Sequence, residues 1–223
     1  MAKLLHIETS TKNCSVSLSD SEKLLAVKEY ASLGYSHAEK LHLFIKKILK
    51  DNNTKLADLD GIAISAGPGS YTGLRIGVST AKGLAFALNI PLISVPTLEH
   101  ISYQIKQKDV FIIPMIDARR MEVYSAVYND KHIQVREVRA EIINENSYKN
   151  YLDKKKVIFL GDATEKVKEV IKHPNAVFSN KIYPSAREMV NIAHKKYKQN
   201  DFENTAYFEP FYLKDFIAVK KNK

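Results

Sequence analysis

Apolar residues recur along the chain in two spacings, one typical of strands and one typical of helices. A short apolar run at residues 4–8 is followed by Cys14 to Leu18, where Val16 and Leu18 alternate with serines. A third extended segment covers residues 23–30, and polar turn residues separate the three. Alternation with a period of two indicates strands, so the chain is expected to open with a three-stranded meander.

Two helices have the clearest patterns in the first half of the chain. Ser36 and Glu39 match a capping box, and the apolar positions up to Lys50 recur every three or four residues. A second helix is predicted from Thr72 to about residue 89. The other predicted elements are strands at 59–65, 92–95, 110–116, 121–128, 132–138 and 157–160, and helices at 97–107, 163–171 and 185–198.

The alternation of strands and helices predicts an α/β fold. The weakest join lies near residues 96–110, so the chain is divided into an N-terminal subdomain at 1–105 and a C-terminal subdomain at 106–223. Each part would hold a meander followed by helices, which suits a duplicated fold.

The helix at residues 72–88 is apolar on nearly all sides, and Arg75 and Lys82 are its only charged residues. Small residues recur on one face at every fourth position: Gly73, Gly77, Ala81 and Ala85. Such a stripe lets another backbone approach closely, and that packing would offset the ~1 kcal/mol that glycine costs inside a helix. Either other elements of this chain or a helix of a partner protein would cover this face.

The loop before this helix contains the run Gly-Pro-Gly-Ser at residues 67–70. Glycines allow backbone amides to approach a phosphate, and a helix N-terminus attracts anions. The loop lacks the ending of a Walker motif, and Pro68 interrupts a dinucleotide pattern, so a tight strand-to-helix turn is the alternative. Together with the turn after the first strand, the possible ligand loop comprises Glu8, Thr9, Ser10, Gly67, Gly69 and Ser70.

No combination of residues predicts catalysis or a metal site. His37 and His42 lie five positions apart, which places them on different sides of a helix. Asp117, Arg119 and Asp162 follow predicted strand ends, but they form no recognisable acid–base pair, and their roles stay open. The single cysteine has no nearby histidine that would activate it and excludes an internal disulfide.

Charge and composition narrow the classes of function. The formal net charge of +9 is concentrated in residues 101–223, which hold 23 basic against 16 acidic residues. This half would attract nucleic acid, although charge alone is weak evidence and a solvated basic surface is the favoured explanation. No apolar run approaches the ~18 residues of a membrane span, and the first residues lack a signal-peptide pattern, so a cytoplasmic location is expected.

Four stretches covering most of residues 4–128 carry a recognisable set of motifs: LLHIETSTKNCSVSLSD, SHAEKLHLFIKKIL, SAGPGSYTGLRIGVSTAKGLAFALNIPLISVPTLEH and IDARRMEVYSAVY. With these motifs the chain resembles the TsaB family of bacterial proteins, which function in making threonylcarbamoyladenosine (t6A) in tRNA. The resemblance implies a fold of the actin, sugar-kinase and chaperone-ATPase (ASKHA) type with two related subdomains. It also implies a non-catalytic accessory subunit that forms a heterodimer with a TsaD-type catalytic subunit.

The same resemblance implies where cofactors and partners belong. ATP and metal are expected on the partner subunits, which include a TsaE-type ATPase, and none on this chain alone. The tRNA would be met through the complex, and a homodimer is possible when the chain is alone. The partner interface maps onto the helices at 36–50 and 72–88, with the candidate residues His37, Leu41, Phe44, Ile45, Arg75, Gly77, Val78, Ala81, Lys82 and Ala85.

The chain departs from a metal motif and a phosphate loop expected of related proteins, and these departures bear on its alternative functions. The pair His37 and His42 does not match the His-x-x-x-His metal motif expected of TsaD, and the turn after the first strand lacks the glycine usual in the phosphate loop of this fold. Three alternatives remain open: a metallopeptidase-like enzyme, an ATP-hydrolysing enzyme and a tRNA-binding module.

Overall fold

The computed structural model describes residues 2–31 and 37–214, and its strands form two five-stranded sheets. The first half contains β1 (Lys3–Glu8), β2 (Asn13–Asp20), β3 (Lys23–Ala31), α1 (His37–Asp51), β4 (Gly61–Ser65), α2 (Tyr71–Leu88), β5 (Leu92–Val95) and α3 (Thr97–Ser102). The second half contains β6 (Phe111–Asp117), β7 (Glu122–Asn129), β8 (Gln134–Ile142), α4 (Lys149–Leu152), β9 (Val157–Leu160), α5 (Thr164–Val170), β10 (Ala176–Phe178) and α6 (Met189–Lys198).

The two sheets have the same strand order. The first runs β3-β2-β1-β4-β5 and the second runs β8-β7-β6-β9-β10. In each, three antiparallel strands form a meander and two further strands pair in parallel. One helix joins the third strand to the fourth, a second joins the fourth to the fifth, and a third follows the fifth. The prediction of an α/β fold of the ASKHA type with two related subdomains is therefore confirmed.

Most of the elements predicted from periodicity are present, and the differences involve short ones. The helix predicted to reach residue 107 ends at Ser102, while α4 and β10 are too short to produce a periodic signal. The capping box predicted at Ser36 lies outside the described residues. Among the described helices, none is long and apolar enough to cross a membrane.

The alternation in β2 explains why the first sheet is covered on both faces. Val16 and Leu18 belong to the same core cluster as the buried residues of α1 and α2. On the opposite face, the Ser17 hydroxyl donates to the Ala186 carbonyl at 2.8 Å, and the Ala186 amide donates to Ser15 Oγ at 3.0 Å. The serines therefore hold the segment that leads into α6.

Helix α6 packs on the first sheet although it follows the second in the chain. Met189 and Ile192 share a buried cluster with Leu4 and Ile93. Helix α3 follows the first sheet in the chain but packs on the second, where Leu98 and its neighbours contact residues of β6 and β7. A division at residue 105 therefore does not separate the two packed units, since each half contributes a helix to the other.

The small-residue stripe of α2 faces the chain's own first turn. A Cβ on Gly73 would lie 2.1 Å from the Thr9 carbonyl oxygen, and one on Gly77 would lie 2.1 Å from Thr9 Oγ1. Ala81 and Ala85 are likewise buried, in the core beneath the helix. The stripe therefore permits a close approach within the monomer. Of the two interpretations left open by the sequence, it is the one in which other elements of this chain cover the face that is correct.

Burial of His6 makes the stability of the fold depend on pH. Burial, together with the nearby His194, lowers the pKa of His6 to about 3, and its Nε2 lies 2.9 Å from Ser19 Oγ. Between the unfolded pKa of 6.5 and the folded value, the unfolded chain binds the extra proton, so stability falls as the pH falls. We expect His6 to account for a loss of about 2 kcal/mol between neutral pH and pH 5.

Urea unfolding at several pH values measures this effect. His6→Gln should reduce the pH dependence of stability between pH 5 and 7 relative to the unaltered protein. An unchanged pH profile in His6→Gln would contradict the prediction.

Candidate functional site

A cleft of about 970 Å³ lies between the two sheets. Its walls include the turns that follow β1, β4, β6 and β9, together with the C-terminal segment at residues 211–214. Ligands of open α/β sheets bind at loops beyond the carboxyl ends of the strands. The duplicated fold places two such sets of loops opposite each other, so this cleft is the candidate site.

The first wall joins the β1–β2 turn to the loop before α2. The Ser70 amide donates to the Ser10 carbonyl at 2.6 Å, and Ser70 Oγ caps α2 by accepting from the Gly73 amide at 3.2 Å. A Cβ on Gly69 would lie 2.5 Å from the Ser10 carbonyl oxygen, so only glycine fits where these loops touch. Of the predicted ligand loop, Ser10, Gly69 and Ser70 therefore line the cleft.

The remaining predicted ligand-loop residues have structural partners instead. Glu8 is fully buried, with Oε2 2.7 Å from His100 Nε2, and its Oε1 accepts the Ser10 amide at 2.5 Å. Burial would raise the pKa of Glu8, but the hydrogen bond and charge of His100, together with hydrogen bonds to Ser10 and Ser65, outweigh it and lower that pKa. The Thr9 hydroxyl donates to the Gly73 carbonyl at 2.8 Å, and Gly67 packs against residue 211. Glu8, Thr9 and Gly67 therefore make contacts within the fold and do not line the cleft, and their part in a ligand loop stays a prediction.

The second wall brings together carboxylates that the sequence left without a role. The Asp117 amide donates to Asp162 Oδ1 at 2.8 Å. Burial raises the pKa of Asp162 to about 6, and the negative charge of Asp117 adds to the increase. Lys166 pairs with Asp117 at 2.5 Å and also donates to the carbonyls of Arg120 and Glu122. One lysine thus fixes the β6–β7 turn against α5.

The C-terminal segment at residues 211–214 closes one side of the cleft, which sequence reasoning missed. The Phe211 amide donates to the Ala66 carbonyl at 2.7 Å, and the Tyr212 ring lies 5.0 Å from that of Tyr71. Lys214 then forms an ion pair with Glu122 of the second sheet. The only sequence signal was a cluster of aromatic residues without periodicity.

No metal-binding cluster of three or more His, Cys, Asp or Glu residues is present within the described ranges. His37 is almost completely buried, and its Nε2 lies 2.7 Å from the Thr11 carbonyl oxygen. His42 is exposed on another side of α1. The donor set of a His-x-x-x-His metal motif is therefore not assembled by these two residues.

Most of the predicted interface residues are covered within the chain. His37, Leu41, Ile45, Gly77, Val78, Ala81 and Ala85 are buried. Phe44 is half-buried against the core, and Lys82 donates to the carbonyls of Ala206 and Phe208. Arg75 alone is exposed. The apolar stripes of α1 and α2 thus face the sheet, and the assignment of these residues to a partner interface stays a prediction.

The outward surfaces of the same helices carry large apolar side chains instead. Phe86 of α2 is 82% exposed and Leu43 of α1 is 60% exposed. Among residues 2–31 and 37–214, a Cβ on Gly83 would meet no neighbour within 4 Å, so this part of α2 is open to them. The periodic pattern did not reveal these residues, because they lie outside the buried stripes.

Comparison with known proteins identifies the family. Residues 32–221 match the family model described as "TsaD: tRNA N6-adenosine threonylcarbamoyltransferase". The tRNA threonylcarbamoyladenosine biosynthesis protein TsaB of Haemophilus influenzae is 29% identical over 98% of this chain and 96% of its own length. The Bacillus subtilis protein of the same name is 36% identical over 58% of this chain and 56% of its own.

A solved structure agrees with these matches. It is described as an uncharacterized protein with similarity to peptidase YEAZ from Pseudomonas aeruginosa, and it superimposes with a TM-score of 0.80 and 26% identity. The match covers 96% of this chain and all of the other. The chain therefore belongs to the family of the TsaD threonylcarbamoyltransferase model, and the similarity to TsaB proteins that its motifs indicated is confirmed.

Proposed function

We propose that this chain is an accessory subunit in the biosynthesis of threonylcarbamoyladenosine in tRNA. It would bind a TsaD-type catalytic subunit and work with a TsaE-type ATPase, and it would not catalyse the transfer itself. The proposal is supported by the names of its full-length relatives. ATP and metal would be held by the partner subunits.

The observation that carries this proposal is the exposed apolar surface of α1 and α2. Large apolar side chains that solvent reaches on neighbouring helices often mark a protein–protein interface. Phe86 and Leu43 supply this surface, and the exposed Arg75 supplies a residue type that interfaces favour. The buried stripes beneath them keep the two helices fixed on the sheet, so the surface is pre-organised.

Support for a non-catalytic role comes from the arrangement of the polar residues. The Glu8 carboxylate is engaged with His100, and Asp117 is paired with Lys166. A metallopeptidase-like or ATP-hydrolysing enzyme would need carboxylates or histidines free to act on a substrate. Metal analysis and ATP turnover by the purified chain distinguish these alternatives from the accessory role.

Phe86→Glu is expected to weaken binding of the TsaD-type subunit about 30-fold or more, because it places a charge in the apolar centre of the interface. Ile133→Glu is the matched control, since Ile133 is 59% exposed on the second half. Isothermal titration gives the affinities, and complementation of a strain lacking its own TsaB, read out as t6A in tRNA, gives the function.

If the Phe86→Glu variant forms the heterodimer normally, the exposed surface of α1 and α2 is not the interface with the TsaD-type subunit. Failure of the unaltered chain to restore t6A would overturn the proposed function itself. Size-exclusion chromatography of the chain alone reports whether the same surface supports a homodimer.

A further inference from the structure

Three cationic side chains beside the cleft lack a partner in the part of the chain that the structure describes. Arg119 and Arg120 line the cleft, and both are exposed. Lys12 follows Thr11 of the opposite wall and lies close enough to Asp162 to act on the pKa of that carboxyl. Within residues 2–31 and 37–214, none of the three cationic groups forms a hydrogen bond or ion pair.

The acidic groups of the cleft are already engaged. Asp117 pairs with Lys166 and Glu122 pairs with Lys214. Asp162 accepts the Asp117 amide, and burial raises its pKa towards neutrality. The two arginines and Lys12 are therefore a surplus of positive charge.

The backbone holds the two arginines in an unusual conformation. Arg119 has a φ of 73° and Arg120 a φ of 49°, so two successive non-glycine residues are left-handed. Each such residue costs about 1 kcal/mol or more, and asparagine or glycine would serve the turn better. This turn places both arginines at the rim of the cleft with their side chains exposed.

Aromatic rings stand in the same cleft. The rings of Tyr71 and Tyr212 lie 5.0 Å apart, and the Arg75 guanidinium lies 4.1 Å from the Tyr71 ring centre. Phe211 is 49% exposed at the edge. Aromatic faces beside unpaired cations are the combination that binds unpaired nucleotides, because bases stack while phosphates meet the charges.

We propose that the cleft binds a single-stranded segment of RNA, with its phosphates on Arg119, Arg120 and Lys12 and an unpaired base on the Tyr212 and Phe211 edge. The inference rests on the proposed function, which makes tRNA the RNA concerned. A free nucleotide carries the same phosphate and base groups and is the other source of this ligand chemistry. RNA is favoured because Arg119 and Arg120 line a cleft of about 970 Å³ with Lys12 next to its Thr11 wall, and because the chain carries a net charge of +9.

Binding of an unmodified tRNA transcript to the full chain, measured by fluorescence anisotropy at several salt concentrations, tests the proposal. The double variant Arg119→Ala/Arg120→Ala should bind about tenfold more weakly, and its salt slope should fall by about 1 to 2. The matched control is Lys106→Ala/Lys108→Ala, which removes the same charge from exposed positions before the start of β6. The length of that strand, about 20 Å, separates the control from the cleft.

A second pair of variants tests the stacking edge. Tyr212→Leu should weaken RNA binding by about fivefold or more, whereas Tyr212→Phe should retain it, because only the former removes the aromatic face. Equal loss in both double-lysine and double-arginine variants would mean general charge attraction and would overturn the site. Free ATP serves as the competitor. If ATP displaces the RNA and binds the chain as tightly as the RNA does, the proposal that RNA is the ligand of the cleft is overturned.

The test of RNA binding in the cleft and the test of the proposed function have separate readouts. Restoration of t6A by the unaltered chain tests the biosynthetic role, whereas RNA affinity tests the cleft. If t6A is restored but the chain does not bind RNA, the cleft proposal alone is overturned.

Discussion

Replacing His100 with leucine is expected to lower the free energy of unfolding by about 3–5 kcal/mol. The change removes the cationic partner of the Glu8 carboxylate and leaves it buried with only neutral partners at Ser10 and Ser65, and an uncompensated buried charge is strongly destabilising. The pair is completely buried, so water cannot replace the lost partner. Chemical denaturation of the variant at neutral pH gives the value.

Two controls, a double variant and an exposed ion pair, make the test of the buried Glu8–His100 pair specific. Glu8→Gln/His100→Leu should be less destabilised than His100→Leu alone, because no charge is then left buried. Arg139→Leu breaks the exposed pair with Glu137 and should change stability by less than about 1 kcal/mol. Similar losses in His100→Leu and Arg139→Leu would contradict the role given to the buried pair.

The pair also has a defined pH dependence. The pKa of Glu8 is lowered in the folded state, so its contribution to stability is present above the unfolded value of 4.5. That contribution is lost as the pH falls below 4.5 towards the folded value. Acid unfolding of the protein is therefore expected to include protonation of Glu8.

Gly73→Ala is expected to destabilise the protein by about 3 kcal/mol. Its Cβ would lie 2.1 Å from the Thr9 carbonyl oxygen, so either α2 or the β1–β2 turn must move, and overpacking of this kind outweighs the better helix propensity of alanine. The displaced turn includes Ser10, which lines the cleft.

Gly83→Ala is the matched control in the same helix. A Cβ there meets no described residue within 4 Å, so the helix propensity of alanine should stabilise the protein by up to about 1 kcal/mol. Thermal unfolding of both variants measures the difference. Equal effects of the two changes on stability would contradict the assignment of the Gly73→Ala loss to contact with Thr9.

The predictions from sequence differ in success according to how local the signal is. The alternation at Val16 and Leu18 identified a strand correctly, since the period of two reports local backbone geometry. Of the predicted ligand loop, Ser10, Gly69 and Ser70 line the cleft, because strand ends collect at one edge. The pairing of Glu8 with His100 could not be predicted, because the two residues lie far apart in the sequence.

The arginine turn shows a second limit of sequence reasoning. Arg119 was singled out without a role, and nothing in a stretch of charged residues shows that two of them have a positive φ. The Tyr212 edge was missed because it faces Tyr71 only after the chain has passed through both sheets.

The sequence by itself determined the main strands and helices, the duplicated α/β order and the small-residue stripe of α2, because each is encoded by the spacing of neighbouring residues. Only the tertiary structure decided that this stripe lies against Thr9, that Phe86 is exposed, and that Asp117 and Asp162 meet in one cleft. Periodicity specifies which face of an element is apolar, but the element that covers that face is selected by the packing of distant segments.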